Sequence, residues 1–486
     1  MKRRLYVILL VVVLAVGSFP TYLHLHSNSW NIQKFQSQHL NWKSCYTSLE
    51  CTTLVVPVDY NKIDDQVFHL QVLRHKASNT KNYLGAIVVN PGGPGGSGVD
   101  YAWDAENIVS TAISSRFDIV GFDPRGVNTS EPLRCLSDKQ EDIYIANDGK
   151  AQTPKEINAM VSTAKFFATT CAAKAGNRLG HYSTLETAKD MELLRIALGQ
   201  PKLNYLGKSY GTFLGTLYAA LYPESMGRFV LDGAIDPNAS VSDQNLIQAV
   251  GFDQDLKDFV KQDKRFSIAK ILTLIDFAAT NHLATTNHRI ATPALVVTGI
   301  ASSLYDPSSG WPELSKALDQ AISQKNPTKL LALADEYDGR DSSGHYVDNQ
   351  SDISQVINCL DWTDPRSLAE ISADQARYAL AAPIFGPFLT YAGLTCHYWQ
   401  TPPVRSPVSL RSLVTPPLLV IGVTRDPATP YAWAVSLHKE LLNSQLLTFD
   451  GDGHTGHNRG NTCIDSVVDH YFLTGQIPKK SLFCSA

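Results

Sequence analysis

The chain has 486 residues, of which 44% are hydrophobic and 18% are charged. This length exceeds one ordinary hydrophobic core, so we expect one large domain with a substantial insertion, or two domains. The formal net charge of -4 argues against the strongly basic surface typical of proteins that bind nucleic acids. No nucleic-acid partner is therefore expected.

The N-terminus has the layout of a secretory signal. A basic cluster at residues 2–4 precedes an apolar run at 5–16, and two small residues follow. We assign residues 1–17 as a signal peptide or N-terminal anchor and expect an exported protein that is secreted, periplasmic or at the cell surface. The apolar run is shorter than the roughly 18 residues of a spanning helix. Membrane contact is expected only if this segment stays uncleaved, and residues 18–43 are predicted to form a stalk.

The eight cysteines include no C-x-x-C pair. An even number of cysteines in an exported chain favours structural disulfides over metal or redox chemistry. Many connectivities are open, and pairing in sequence order is our prediction. The predicted pairs are Cys45 with Cys51, Cys135 with Cys171, Cys359 with Cys396, and Cys463 with Cys484.

The first strands follow the predicted stalk. Residues 52–60 and 66–75 alternate β-branched and polar side chains, which predicts hairpin strands at a sheet edge. Residues 84–89 are continuously apolar, residues 117–122 are apolar except for Asp118, and both indicate buried central strands. The second of these runs into the sequence DPRG at 123–126, whose charged pair we interpret as tying down a loop rather than as catalytic.

A glycine-rich segment, NPGGPGGSG at 90–98, follows the first buried strand. Three of its glycines spell the dinucleotide-binding pattern G-x-G-x-x-G, and Asp118 follows at a suitable distance. However, Asp118 begins the next apolar run instead of ending it, and Pro94 removes an amide from the loop. The alternative is the oxyanion loop of an α/β-hydrolase, with Gly93 as the N–H donor. We favour this alternative because it also uses the serine motif described next.

Residues 205–211 contain the pattern G-x-S-x-G around Ser209. A short apolar strand precedes the motif and a helical stretch follows, which is the setting of a nucleophile elbow in an α/β-hydrolase. The two glycines allow strand and helix to approach closely. The backbone N–H of Tyr210 is then predicted to contribute to the oxyanion hole.

The pattern changes to helices without buried strands at residues 237–413. Such an insertion between the strands of a hydrolase sheet usually forms a lid. We therefore predict an α/β-hydrolase sheet formed by residues 44–236 and 414–486, with a helical lid at 237–413.

Ser209, Asp426 and His454 occur in the chain order of the hydrolase triad, each in a loop after a predicted strand. Because the carboxyl ends of parallel strands share one sheet edge, these loops can meet. His454 would take the Ser209 proton, and Asp426 would fix the histidine tautomer. The rival acids are Asp232, Asp450 and Asp452. His457 is the rival base, and a zinc site formed by the two histidines lacks suitably spaced further ligands.

The sequence resembles the secreted tripeptidyl and prolyl aminopeptidases of the α/β-hydrolase class, which are related to proline iminopeptidases. The resemblance rests on NPGGPGGSG at 90–98, DPRG at 123–126, GKSYGTFLG at 207–215, VLDGAIDP at 230–237, DPATP at 426–430 and GDGH at 451–454. Asn128 departs from the family pattern, which usually has glycine there. The resemblance implies hydrolysis of peptides from a free N-terminus, without a cofactor or metal.

An exopeptidase of this kind needs a carboxylate in the lid to bind the substrate amine. Asp361 is our first candidate because a disulfide at Cys359 would immobilise it, followed by Asp306 and Glu336. The alternative for Asp361 is an ordinary solvated or helix-capping role. An esterase or lipase that acts on acyl esters remains the alternative function, and a non-catalytic hydrolase-fold binding protein is a weaker one.

Overall fold

The computed structural model describes residues 30–64, 66–281, 283–285, 289–403 and 409–485. The predicted signal or anchor lies outside the described residues. Within the described ranges, no helix is long and apolar enough to cross a membrane. The described part of the predicted stalk contains helix α1, Ile32–Gln36, whose Phe35 is fully buried. This part of the stalk therefore packs onto the domain.

One mixed sheet of ten strands, in the order β1-β2-β3-β5-β4-β6-β7-β8-β9-β10, forms the centre of the fold. The strands are β1 Lys43–Cys45, β2 Leu49–Pro57, β3 Val67–His75, β4 Gly85–Asn90, β5 Phe117–Phe122, β6 Leu203–Lys208, β7 Met226–Asp232, β8 Leu418–Arg425, β9 Ser444–Asp452 and β10 Leu482–Ser485.

The first three strands pair antiparallel, and β3 also pairs antiparallel with β5. From β5 to β10 all neighbouring strands are parallel. Every residue of β4 and β5 is buried, as their largely apolar sequences predict. The carboxyl ends of the parallel strands meet at one edge of the sheet, and the loops at this edge carry the predicted catalytic residues.

Helices cover the sheet and form the insertion. The helices before the insertion are α2 Gly98–Trp103, α3 Thr111–Ser114, α4 Asp138–Ile145, α5 Pro154–Ala175, α6 Thr184–Ala197 and α7 Tyr210–Leu221. Those within it are α8 Val241–Gln262, α9 Ile268–Asn281, α10 Pro293–Ser303, α11 Gly310–Ser323, α12 Thr328–Tyr337, α13 Gln350–Asp361, α14 Leu368–Ala373, α15 Gln375–Ala381, α16 Gly386–Leu389 and α17 Leu394–His397. The last two are α18 Tyr431–Glu440 and α19 Thr462–Thr474.

The insertion has a hydrophobic core of its own. Apolar side chains of α8 to α12 form a buried cluster that includes Leu256, Ile300 and Leu318. In the described part of this region the only extended pairings are the isolated bridges Ala284–Ile290 and Arg340–Tyr346. The α/β-hydrolase sheet with a helical insertion is thus present as the sequence predicts.

Four disulfides join the cysteines in sequence order, Cys45–Cys51, Cys135–Cys171, Cys359–Cys396 and Cys463–Cys484, which confirms the predicted pairing. The last of these connects α19 to β10. Strand β10 was not predicted from the sequence, because its four residues give little periodicity.

The charged pair of the DPRG loop has the structural role that the sequence predicts. The Arg125 guanidinium is fully buried and donates two hydrogen bonds, of 2.8 and 2.6 Å, to Asp190 of α6. Asp123 accepts hydrogen bonds from the hydroxyl of Ser97 (2.6 Å) and the amide of Val99 (3.1 Å). These bonds hold the glycine-rich segment and α6 against the sheet.

Candidate active site

Ser209 occupies the sharp turn between β6 and α7. Its backbone has φ 55° and ψ -124°, a left-handed conformation that is strained for a residue with a side chain. The flanking glycines are required by close packing: a Cβ on Gly207 would lie 2.4 Å from the Gly211 carbonyl oxygen, and a Cβ on Gly211 would lie 2.8 Å from Asn90 Oδ1. The predicted nucleophile elbow is therefore present in the backbone geometry.

The glycine-rich loop lies beside this turn. A Cβ on Gly92 would lie 2.8 Å from Ser209 Cβ and 3.2 Å from the Tyr210 nitrogen. Gly93 lines the same cavity as Ser209 and Tyr210. Tyr210 is the first residue of α7, where backbone amides have no partner within the helix. Gly93 and Tyr210 thus lie beside Ser209 at one cavity, as the predicted oxyanion hole requires.

Asp118 has a different environment. It is the second residue of β5, at the end of the strand away from the glycine-rich loop. Its carboxylate accepts hydrogen bonds from the Ala77 amide (2.9 Å) and the Tyr83 hydroxyl (3.1 Å). This placement is unsuited to binding a ribose, so the structure does not support the dinucleotide alternative.

Asp426 and His454 form a buried pair at the carboxyl ends of β8 and β9. The two carboxylate oxygens lie 2.9 and 3.0 Å from His454 Nδ1. The carboxylate also accepts hydrogen bonds from the amides of Ala428 (2.9 Å), Thr429 (2.8 Å) and Thr455 (3.2 Å). An aspartate on Nδ1 leaves Nε2 as the nitrogen available for proton transfer.

The end of β7 connects the serine to the histidine. The Ser209 amide donates to the Asp232 carbonyl (2.9 Å). A Cβ on the next residue, Gly233, would lie 3.2 Å from His454 Cε1. Ser209 and His454 therefore both lie next to the end of β7, on neighbouring loops of the sheet edge.

The rival acids have other partners. The Asp232 carboxylate accepts hydrogen bonds from the amides of Gly456 (2.7 Å) and His457 (3.0 Å), and burial raises its pKa. Asp450 and Asp452 bind the guanidinium of Arg425 at 2.8 and 2.5 Å. Asp426 is therefore the acid that contacts His454.

His457 is buried beside Lys208. Burial, with a smaller contribution from Lys208, lowers the pKa of His457 to about 3, so this histidine is neutral at ordinary pH. Within the described ranges no group of three or more His, Cys, Asp or Glu side chains is arranged to hold a metal ion.

A family model described as TAP-like protein matches residues 382–484. The chain is 34% identical over 479 residues to serine protease Hip1 of Mycobacterium tuberculosis, with 92% of this chain and 91% of the relative covered. It is 35% identical over 476 residues to carboxylesterase B of the same organism, with 92% and 90% covered. It is 30% identical over 504 residues to tripeptidyl aminopeptidase of Streptomyces lividans, with 95% and 91% covered. The chain belongs to the tripeptidyl aminopeptidase family of α/β-hydrolases.

This family member is a serine hydrolase, and its fold agrees with the one predicted from sequence. The solved structure of proline iminopeptidase from Mycobacterium smegmatis aligns with 86% of this chain and 97% of its own, at 14% identity and a TM-score of 0.36. That similarity is too weak to support an argument about the site.

In this aminopeptidase-family chain the insertion contacts His454, the candidate catalytic base, directly. The His454 amide donates to the Tyr305 carbonyl (2.8 Å), and the Tyr305 ring lies perpendicular to the imidazole with centroids 5.2 Å apart. Arg459 donates to the His454 carbonyl (3.0 Å) and to Asp306 Oδ1 (2.8 Å). We call Tyr305, Asp306 and Arg459 the latch, because they fasten the insertion to the histidine loop.

The three carboxylates predicted to bind a substrate amine lie outside the cavity at Ser209. Asp361 is buried, and its carboxylate accepts hydrogen bonds from the amide (3.0 Å) and the hydroxyl of Thr184, the first residue of α6. Asp306 belongs to the latch. Glu336 is exposed and lines a neighbouring cavity together with Asp306. The structure therefore does not bring these three groups to the serine.

The cavity at Ser209 has a volume of about 280 Å³. Gly93, Tyr210, Phe213 and Thr429 of the sheet domain form part of its wall, and Tyr305, Tyr337 and Trp362 of the insertion form another part. Among the described lining residues are five with carboxamide side chains: Gln244, Asn245, Gln248, Gln355 and Asn358.

Most of these lining residues were not among the residues predicted from the sequence. Thr429 follows the aspartate in the DPATP motif, and its hydroxyl donates to Asp426 Oδ2 (3.0 Å), so its position in the motif was a usable signal. Tyr305 and the carboxamides gave no such signal, because they lie in the insertion outside every motif.

Proposed function

We propose that Ser209, His454 and Asp426 form a catalytic triad that hydrolyses peptides, with Gly93 and Tyr210 as the oxyanion hole. The observation that carries this proposal is the buried Asp426–His454 hydrogen bond, at 2.9 Å, at the same sheet edge as a serine held with φ 55°. The relatives named serine protease and tripeptidyl aminopeptidase support the choice of a peptide substrate.

Acylation begins when Ser209 Oγ attacks the scissile carbonyl carbon and His454 Nε2 takes the hydroxyl proton. Asp426 stabilises the imidazolium that forms, and its three amide donors keep the carboxylate in place. The Gly93 and Tyr210 N–H groups stabilise the developing oxyanion. His454 then gives its proton to the leaving amine, and the acyl-enzyme is hydrolysed when a water molecule attacks by the same route.

We propose that cleavage releases short segments from a free N-terminus. The cavity beside Ser209 lies between the sheet edge and helices α8 and α13 of the insertion, so the insertion bounds the space open to the acyl side of the substrate. A bounded acyl side favours short N-terminal segments over the middle of a long chain. The name of the Streptomyces relative supports the same activity.

We also propose that the protein is exported. Four disulfides are formed in the structure, and such bonds persist in oxidising compartments outside the cytosol. The basic and apolar N-terminal sequence supports the same compartment.

Matched peptides test the exopeptidase proposal. A tripeptidyl p-nitroanilide with a free amine should have a kcat/KM at least about tenfold higher than its N-acetylated form, because acetylation removes a charge-assisted hydrogen bond and adds bulk. Equal cleavage of the two substrates would show that the enzyme is not an aminopeptidase.

Ester hydrolysis is the second candidate function, and the relative named carboxylesterase B favours it. The same triad would cleave acyl esters. A kcat/KM for medium-chain p-nitrophenyl esters far above that for every aminoacyl p-nitroanilide would favour an esterase over a peptidase.

A further inference from the structure

Two helices of the insertion direct carboxamide side chains to the cavity at Ser209. Gln244 and Gln248 lie four residues apart on α8, and Gln355 and Asn358 lie three residues apart on α13. Residues at these spacings share one face of a helix. All four side chains are partly buried and line the cavity.

The hydrogen bonds of the α8 pair define which of their atoms remain available. Gln244 Nε2 donates to the Ala239 carbonyl (3.0 Å), and Gln248 Nε2 donates to the Ala428 carbonyl (2.7 Å). A carbonyl can only accept, so each amide must place its nitrogen there. The Oε1 atoms of both residues are therefore left as hydrogen-bond acceptors for another molecule.

The α13 pair differs, because the side chains of Gln355 and Asn358 make no hydrogen bond with any described residue. Each carboxamide can both donate and accept. Leaving such groups unpaired in a partly buried cavity is costly unless water or a ligand binds them. A peptide group, with one N–H and one carbonyl, matches this donor and acceptor pattern.

We propose that these four carboxamides form the subsite for the acyl side of a peptide substrate. Gln244 and Gln248 accept hydrogen bonds from substrate N–H groups, including the terminal amine. Gln355 and Asn358 pair with a substrate peptide group. In this subsite carboxamides take the place of the lid carboxylate expected from sequence. The proposal rests on the proposed peptidase function and specifies how that site recognises its substrate.

The test uses Gln355→Met and Asn358→Leu, which keep side-chain size but remove the polar groups. Neither change breaks a hydrogen bond within the described structure, so both variants should fold. The substrates are a tripeptidyl p-nitroanilide, which extends into the insertion, and p-nitrophenyl acetate, whose acyl group is too short to reach it. Gln254→Met is the matched control, because Gln254 is an exposed residue of α8 that binds Asp258.

Each substitution should lower kcat/KM for the tripeptidyl substrate about 3- to 10-fold, the range of one lost hydrogen bond. Hydrolysis of p-nitrophenyl acetate should stay unchanged. The Gln254→Met control should keep the wild-type kcat/KM for both substrates. Unchanged peptide kinetics in the double variant would overturn the proposal. An equal loss on both substrates would also overturn it, since that result indicates a structural role.

Gln355→Glu provides a second measurement. A carboxylate at this position should increase the preference for free over N-acetylated peptides about tenfold and make it sensitive to salt. If this preference does not change, Gln355 does not lie next to the N-terminal segment of the substrate, which contradicts the proposal. If the wild-type enzyme cleaves free and acetylated peptides equally, the exopeptidase proposal fails, while the loss of peptide kcat/KM in the Met and Leu variants still decides the subsite.

Discussion

The sheet edge and the insertion build the two sides of the active site by different means. At the sheet edge, the carboxylates of Asp426 and Asp232 are buried and held by backbone amides. In the insertion, partly buried carboxamides such as Gln355 line the cavity. A buried charge needs fixed partners because its desolvation is costly, whereas a neutral amide can exchange water for substrate at low cost. In the proposed enzyme, the sheet edge would therefore carry out the chemistry and the insertion would bind the substrate.

The largest expected effect comes from removing the proton relay. Ser209→Ala and His454→Ala should each lower kcat by at least about 10⁴-fold, because the two groups act as a unit. The melting temperature should change little, since neither side chain contributes to a hydrophobic cluster. Steady-state kinetics and thermal unfolding measure the two quantities. A Ser209→Ala enzyme with the wild-type rate would refute the mechanism.

Two aspartates of the sheet edge should respond differently. Asp426→Asn should lower kcat about 10⁴-fold, because an amide favours the wrong imidazole tautomer. Asp232→Asn weakens hydrogen bonds to the amides of Gly456 and His457 and should mainly lower the melting temperature. Measuring kcat and thermal unfolding for both variants tests this. A greater loss of kcat in Asp232→Asn would mean that the catalytic acid is misassigned.

Asp255 of α8 lies in the insertion, close enough to the sheet domain for the charge of Asp452 to affect its pKa. It is 1% exposed, and its pKa is raised to about 8, mainly by burial and then by Asp452 of the sheet domain. The unfolded-state pKa is about 3.9, so the folded state binds more protons between these values. The contribution of Asp255 to stability therefore falls as pH rises from about 4 to 8 and is constant above that range.

Asp255→Asn removes this titration. The free energy of unfolding of the variant, relative to wild type, should rise by about 1 to 3 kcal/mol between pH 5 and pH 8. Urea unfolding at pH 5, 6, 7 and 8 measures the difference. A difference that is constant across this range would show that Asp255 is ionised in the folded protein.

The smallest effect is expected at the latch. Asp306→Asn removes the charge that binds Arg459. It should lower kcat about 3- to 10-fold with little change in KM, because the loop that carries His454 loses the equivalent of about one hydrogen bond to the insertion. Asp335→Asn is the control, since Asp335 binds Arg289 in another part of the insertion. An equal loss in both variants would indicate general destabilisation of the insertion.

Much of the sheet domain could be predicted from sequence because its signals are local. The G-x-S-x-G turn requires glycines at Gly207 and Gly211 for close packing, and the apolar runs of β4 and β5 show burial directly. Asp426 and His454 follow strands, and parallel strands bring such loops together whatever their separation in sequence. Pairing of the cysteines in sequence order was also predicted correctly.

The contents of the cavity could not be predicted in this way. Asp361 was a reasonable candidate to bind a substrate amine. However, α13 packs against α6, and the Asp361 carboxylate accepts a hydrogen bond from the Thr184 amide instead. Asp306 is taken by Arg459, about 150 residues further along the chain. The four-residue segment 482–485 forms strand β10 only because the edge of strand β9 is available to pair with it.

The sequence by itself determined the sheet, the elbow and the candidate triad, since each depends on a short motif or on the periodicity of one strand. Only the tertiary structure decided which polar groups of the insertion form internal hydrogen bonds and which line the cavity at Ser209. A polar residue in an amphipathic helix has the same local pattern whether it faces solvent, a partner or a cavity. The packing of α8 and α13 across the sheet edge makes that choice.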